Sequence, residues 1–168
     1  MVTASATWAD GERFIGVASS GHAIVVDAAK DKTAPSPMEL VLLGLCGCTA
    51  SDVVGILRKK REPFTSLEVS AEAERAPEPP AVYTAIKLRY RVGGKVSRKA
   101  VEDAVRLSKE KYCSVSQMLG KTAKITAVIE LVLFPDLCIH KENICSPEPG
   151  SCVLACMARK VVIFTQPG

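Results

Sequence analysis

A single long apolar helix limits what this chain can fold into. Ser36, Pro37 and Glu39 form a capping-box pattern, with Ser36 at the N-cap and Pro37 at the first helical position. An apolar run then continues through Leu57, and Pro63 follows a short basic cluster that ends the helix. Because such a helix is apolar around most of its circumference, it needs cover on several faces. The rest of the chain must supply that cover.

The remaining elements predict an α+β fold. The hydrophobic patterns predict strands at 3–8, 13–17, 23–26, 67–75, 86–92 and 125–131, and helices at 97–111 and 114–119. Asp10-Gly11 between the first two strands is a strong hairpin signal. This order lacks the regular strand–helix alternation of a parallel doubly wound sheet, so we expect mainly antiparallel pairing.

The chain divides by composition into a domain at 1–132 and a Cys-rich C-terminal extension at 133–168, whose structure the sequence does not predict. The extension contains potential metal ligands, namely Cys138, His140, Cys145, Cys152 and Cys156. Four such side chains bind zinc when they converge, although these spacings match no common zinc finger. The apolar stretch at 161–164 is suited to add a strand to a sheet edge.

Charge and composition favour some classes of protein over others. The net charge of +4 is mild, and no aromatic stacking pattern accompanies it, so nucleic-acid binding is not expected. The longest uncharged stretch, 40–51, is too short to span a bilayer, and residues 1–21 lack a signal-peptide pattern. We therefore expect a cytoplasmic location and no membrane contact. Cysteines in that compartment are mostly reduced, catalytic or metal-bound.

Two cysteines lie in the long helix. Cys46 and Cys48 are two residues apart, which places them about 200° apart around a helix. They face opposite sides and cannot bridge each other while the helix is intact. One interpretation is that both are small apolar helix residues, since buried cysteine is common. The other is that one of them faces a reactive site.

Two motifs resemble those of the OsmC and organic hydroperoxide resistance family. Residues 36–40 (SPMEL) and 45–50 (LCGCTA) resemble the central-helix signature of that family, and 111–116 (KYCSVS) resembles its second-cysteine motif. The separation of 65 residues between Cys48 and Cys113 is also that of the family's cysteine pair. The sequence around Cys48 is most similar to that of the less-characterised branch of the family.

The resemblance implies a fold and a chemistry. The fold is a mainly antiparallel curved sheet of about six strands around the long central helix, in an intertwined homodimer. Cys48 is the peroxidatic thiol, which attacks an organic hydroperoxide and becomes a sulfenic acid. Cys113 is the resolving thiol, which condenses with it to a disulfide, and an external dithiol then reduces that bond. No cofactor beyond the two thiols is implied.

The family's helper residues map less directly onto this chain. An Arg from the N-terminal strands stabilises the thiolate in family enzymes, and Arg13 is the best match; its alternative role is an ordinary exposed strand charge. The family's helper Glu directly follows the Pro of the helix start, where this chain has Met38. Glu39 comes one residue later, a rotation of about 100° around the helix. Its alternative role is that of the capping-box residue alone.

Three functions are compatible with these patterns. The first is a thiol-dependent peroxidase that reduces organic hydroperoxides in oxidative stress defence. The second is a non-catalytic protein that senses redox state or binds small electrophiles through the same thiol pair. The third is a zinc-binding module centred on the extension. Because the extension lies outside the matched motifs, we expect it to be dispensable for the thiol chemistry.

Overall fold

The computed structural model describes residues 1–132 and the backbone of residues 161–166. The chain forms two compact units, Met1–Leu45 and Cys46–Gly168, and the boundary between them falls within the long helix. The extension cysteines and His140 lie outside the described residues, so the predicted zinc module stays a prediction.

The first unit contains an antiparallel meander of three strands, β1 (Ala4–Asp10), β2 (Arg13–Ala18) and β3 (Ala23–Asp27). The predicted Asp-Gly turn joins β1 to β2, with Gly11 at a φ of +47°, a conformation that side chains with a Cβ rarely adopt. Every residue of β1 is exposed, and β2 and β3 are mostly exposed as well.

The long helix α1 spans Pro37–Lys59. Its predicted capping box is confirmed, because the Glu39 carboxylate accepts hydrogen bonds from the Ser36 N–H and Oγ–H, each at 2.7 Å. Although its longest uncharged stretch is short, α1 as a whole is long and apolar enough to cross a membrane. The core helix of a globular protein meets the same criterion.

The second unit contains a four-stranded sheet in the order β4-β5-β6-β7. The strands are β4 (Phe64–Arg75), β5 (Tyr83–Gly94), β6 (Lys124–Val132) and β7 (Val161–Gln166). The β4–β5 and β6–β7 pairs are antiparallel, whereas β5 and β6 are parallel. The prediction that the apolar stretch near the C-terminus adds an edge strand is confirmed by β7.

A helical crossover joins the parallel strands β5 and β6, as parallel pairing requires. It consists of α2 (Arg98–Leu107), a π turn (Ser108–Tyr112) and α3 (Ser114–Leu119). Ser97, the first residue of the helix predicted at 97–111, caps α2 by accepting a hydrogen bond from the Ala100 N–H. The sequence predicts a regular helix through position 111, but the last five residues before Cys113 form wider π turns instead.

The expectation of one sheet of about six strands is wrong in detail, because the described strands form two sheets, of three and four strands. The overall class, mixed α+β, is confirmed. Alternation of apolar residues shows that a segment is a strand and which face is buried, but it does not specify the neighbouring strand. The 23 residues of α1 separate β3 from β4 in the chain, and these two strands do not pair.

The core of the second unit lies between α1, α2 and one face of the sheet. The strand predicted at 86–92 is confirmed as part of β5, and its alternate residues form a buried row, Ile86, Leu88, Tyr90 and Val92. On α1 the buried residues of this unit recur every fourth position, Thr49, Val53 and Leu57. On α2 one face, with Val101, Ala104 and Val105, is also buried, and Ser108 at the start of the π turn continues it.

This core predicts the cost of truncating α1. Leu57 has no exposed surface, so Leu57→Ala should lower the free energy of unfolding by about 2–5 kcal/mol through lost burial and the remaining cavity. Met118, which is 71 % exposed, is the matched control, and Met118→Ala should change stability by less than about 0.5 kcal/mol. Urea unfolding of both variants measures the difference. Equal effects would contradict the placement of Leu57 in the core.

Candidate active site

Cys48 lies in the middle of α1 and is half-buried. Cys46, on the other side of the helix, is also half-buried, and burial raises the pKa of its thiol. No disulfide links these cysteines in the described part of the chain. The helix therefore presents two thiols in different directions, and their surroundings distinguish them.

Cys113 lies at the junction of the π turn and α3. Its N–H donates to the Ser108 carbonyl at 2.8 Å, which closes the π turn. Its sulfur caps α3 by accepting a hydrogen bond from the Ser116 N–H at 3.3 Å. The side chain is fully buried. π turns are rare and frequently occur at functional sites, and here the extra residue positions a cysteine.

The structure brings the two predicted thiols together with a carboxylate. The Cys48 sulfur, the Cys113 sulfur and an Asp52 carboxylate oxygen all lie within 4.8 Å of one another. Burial and the neighbouring Cys48 raise the pKa of Cys113, against the opposing effect of its hydrogen bond with Ser116. The two sulfurs are therefore neighbours, and of these three side chains only Cys48 and Asp52 are partly exposed.

A chain of hydroxyl groups holds Asp52 in place. Ser108 Oγ donates to Asp52 Oδ2 at 2.9 Å, and Ser108 Oγ and Thr49 Oγ1 are 2.9 Å apart. Thr49 Oγ1 is in turn 2.8 Å from the Tyr90 hydroxyl. Because Ser108 uses its only hydroxyl proton on the carboxylate, Thr49 must donate to Ser108, and Tyr90 must then donate to Thr49.

All three hydroxyl groups of this chain consequently point their protons towards Asp52. Burial raises the pKa of Tyr90 to about 12, so its hydroxyl stays protonated as the chain requires. No buried side-chain nitrogen or oxygen among the described residues lacks a hydrogen-bond partner. The network joins α1, β5 and the π turn, and it sets the position of Cys48 relative to Cys113.

The sequence interpretation missed Asp52 and Ser108. A signal for Asp52 is present, since it is the only charged residue between Glu39 and Arg58 and lies one helical turn after Cys48. A single carboxylate within an apolar helix indicates a polar partner or a functional site, because Asp is seldom buried unless it is paired. Ser108 carries no comparable signal, because serine in a helix usually faces solvent or its own backbone.

Arg13 and Glu39 lie in the first unit, each with a partner of its own. Arg13 Nε donates to Asp10 at 2.6 Å, and this pairing raises the pKa of the guanidinium. Glu39 accepts from Lys32 Nζ at 2.7 Å and from Ser36, and these bonds lower its pKa to about 2. The role of both residues in the thiol chemistry stays a prediction.

A shallow groove lies beside Asp52 in the second unit. It has a volume of about 400 Å³ and combines apolar side chains with two lysines. Its lining includes Ile56, Lys59, Lys60, Leu107 and Tyr112. The groove therefore offers a mixed surface for a small molecule with an apolar body and a polar end, adjacent to the carboxylate that faces the thiols.

Comparisons with known proteins identify the family. The sequence model of the OsmC family, described as OsmC-like protein, matches residues 29–128. The chain belongs to the OsmC-like family. It is 45 % identical over 126 residues to Protein YhfA of Escherichia coli K12, covering 74 % of this chain and 94 % of that protein. The resemblance deduced from the two cysteine motifs is thus confirmed.

Solved structures agree with this family fold. A hypothetical protein from Aquifex aeolicus VF5 superposes with a TM-score of 0.73 at 30 % identity, covering 80 % of this chain and 98 % of the other. An organic hydroperoxide resistance protein OsmC from Legionella pneumophila superposes with a TM-score of 0.61 at 15 % identity, covering 77 % and 96 %. At that identity the second likeness concerns the fold alone.

The bonds of Glu39 predict a pH dependence of stability. Its folded-state pKa of about 2 lies below the ordinary value of 4.5, so the carboxylate stabilises the fold above pH 4.5 and this contribution disappears as the pH falls towards 2. Glu39→Gln should therefore lower the urea midpoint at pH 7, by a difference that shrinks on acidification. Lys32→Gln should lose only part of this pH-dependent contribution, because the hydrogen bonds from Ser36 to Glu39 remain. A difference that is constant from pH 7 to pH 3 would contradict this assignment.

Proposed function

We propose that this OsmC-like protein is a cysteine-based hydroperoxide reductase in which Cys48 attacks the peroxide and Cys113 resolves the product. The observation that carries the proposal is the approach of the two sulfurs to within 4.8 Å. Some solved relatives of the same fold are named organic hydroperoxide resistance proteins. The half-buried thiol is accessible to a substrate, and the fully buried thiol is protected until the first has reacted.

The reaction follows from these positions. The Cys48 thiolate attacks one peroxide oxygen, the O–O bond breaks, an alcohol leaves, and the sulfur becomes a sulfenic acid. Cys113 then attacks that sulfur and displaces water, which yields the disulfide. Because a disulfide has an S–S length of about 2.05 Å, the two side chains must move closer at this step. An external dithiol returns both thiols by exchange.

The surroundings suit an organic substrate. The apolar side chains of the groove, among them Ile56 and Leu107, match the alkyl part of a hydroperoxide. On the basis of the family resemblance, we also propose that Arg13 stabilises the thiolate and that Glu39 assists it. We further propose a cytoplasmic location and a role in oxidative stress defence.

A second candidate function rests on a specific observation. Met38 occupies the position of the family's helper Glu, and Glu39 is committed to Ser36 and Lys32. A thiol pair without that helper is suited to sensing redox state or trapping electrophiles without turnover. Steady consumption of an organic hydroperoxide in the presence of a dithiol distinguishes the enzyme from the sensor, which reacts once.

Three single substitutions test the enzymatic assignment. Cys48→Ser should abolish peroxide consumption, since no nucleophile remains. Cys113→Ser should react once and leave a sulfenic acid that a dimedone-type reagent labels, followed by over-oxidation on repeated exposure. Cys46→Ser is the matched control on the same helix and should behave like the parent protein.

Mass spectrometry after one equivalent of an organic hydroperoxide provides the readout. The parent and Cys46→Ser should contain a Cys48–Cys113 disulfide. Full turnover by Cys48→Ser, or a disulfide that joins Cys46 or the extension cysteines instead, would contradict the assignment.

We also propose that the protein works as a homodimer. Ile24 and Val25 are neighbours on β3 and therefore point to opposite faces of the three-stranded sheet, yet they are 44 % and 48 % exposed. Trp8 on β1 and Leu43 on α1 are also exposed apolar residues. Apolar surface on both faces of one sheet is typical of an element that a second chain covers.

Light scattering at micromolar concentration should give twice the mass of the chain. Ile24→Glu should shift the protein towards monomer, because it places a charge in the covered surface, whereas Ser19→Glu in the turn after β2 should not. A monomer mass for the parent protein would refute the proposal.

A further inference from the structure

The donor set around the two thiols resembles a metal-binding site. Cys48 and Asp52 lie one turn apart on α1, and Cys113 approaches them from the junction of the π turn and α3. Their ligand atoms lie within 4.8 Å of one another. Two sulfurs and one oxygen around a tetrahedral zinc ion are roughly 3.5–3.8 Å apart. Small side-chain rotations therefore bring the three donors to ligand distances.

The carboxylate is oriented as a metal ligand usually is. Ser108 holds Asp52 Oδ2, and Thr49 and Tyr90 extend the chain behind it. Hydrogen bonds from outer residues orient metal ligands and tune their basicity. The second carboxylate oxygen accepts none of the hydrogen bonds found in the described part of the chain, so it is available as a ligand.

The charge at this position also favours a cation. Asp52 takes part in none of the ion pairs formed among residues 1–132. The Asp52 carboxylate and the two cysteine sulfurs form one partly buried cluster of groups that are anionic when they bind a metal. A divalent cation bound between them would balance the charge of these ligands.

We propose that the reduced protein binds one zinc ion through Cys48, Cys113 and Asp52, with the fourth position open towards the solvent side of Cys48 and Asp52. Thiolate sulfur with a carboxylate oxygen suits zinc, whereas magnesium and calcium prefer oxygen alone. Three protein ligands and one open position are typical of an accessible zinc centre rather than a closed structural one. This site is distinct from the extension cysteines and goes beyond the proposed peroxidase function.

Zinc binding and disulfide formation exclude each other in this arrangement. Oxidation by an organic hydroperoxide takes two electrons from the two thiolates and forms the S–S bond. The peroxide O–O bond accepts those electrons with two protons and gives an alcohol and water, and Zn²⁺ leaves unchanged. A zinc-loaded site therefore protects both thiols from alkylating reagents, and an oxidised site releases the metal.

The test measures zinc binding in the absence of any peroxide. The full-length protein is reduced, freed of reductant and titrated with Zn²⁺ against a chromophoric chelator. A full-length variant with serine at 138, 145, 152 and 156 removes the other cysteines that compete for zinc. We expect this variant to bind one zinc per chain and, with Co²⁺ as a probe, to show thiolate-to-metal charge-transfer absorption.

Substitutions then identify the ligands in that background. Cys48→Ser and Cys113→Ser should each remove the charge-transfer intensity of one thiolate and weaken zinc binding at least about 10-fold, and Asp52→Asn should weaken it by about 10–100-fold. Cys46→Ser is the matched control and should bind as the background does. Circular dichroism of each variant separates ligand loss from misfolding. The Co²⁺ spectrum is recorded on the background protein, so it tests the site even where a site variant does not fold.

Each outcome decides the proposal. Loss of all zinc binding when only the extension cysteines are replaced would overturn the proposal. Unchanged zinc affinity in both single variants, Asp52→Asn and Cys48→Ser, would also overturn it. The zinc titration contains no peroxide, so it is independent of the separate turnover assay. A protein that binds zinc here but does not turn over peroxide contradicts only the peroxidase proposal. A protein with turnover and no zinc binding contradicts only the metal site.

Discussion

The chain of hydrogen bonds from Tyr90 through Thr49 and Ser108 to Asp52 is the interaction on which the site depends. Buried hydroxyl groups lose water on folding and must find partners, so a misplaced element would leave at least one of them unpaired. Apolar packing alone tolerates small shifts between helix and sheet. The hydroxyl chain does not, and it therefore sets the distance between the two cysteines.

The same three donors account for two proposed states of the site. With the metal absent, the half-buried Cys48 is accessible to a peroxide, and the buried Cys113 lies beside it as the resolving thiol. With zinc bound, both sulfurs are shielded. Asp52 has a different role in each state, because it is a carboxylate held by Ser108 beside the free thiols and a ligand when zinc is bound. The supply of metal would then regulate the reactivity of the pair.

The two units differ in how their apolar surface is covered. The four-stranded sheet buries one face under α1 and α2, whereas the three-stranded sheet leaves apolar residues such as Ile24 and Val25 exposed on both faces. A meander of short strands with apolar residues exposed on both faces is not stable by itself, because it buries too little apolar surface to offset the entropy of ordering the chain. The proposed homodimer would cover this apolar surface.

The sequence by itself determined the local elements and the identity of the thiols. Capping residues such as Ser36, Ser97 and Glu39 mark helix ends through hydrogen bonds with near neighbours, and alternation on β5 marks a buried face, so both can be predicted from a short window. The cysteine motifs identified the family in the same way. Only the tertiary structure decided that the strands form two sheets, that the helix before Cys113 widens into π turns, and that Asp52 and Ser108 meet at the thiols. These features depend on contacts between residues far apart in the chain, for which a single sequence carries no periodic signal.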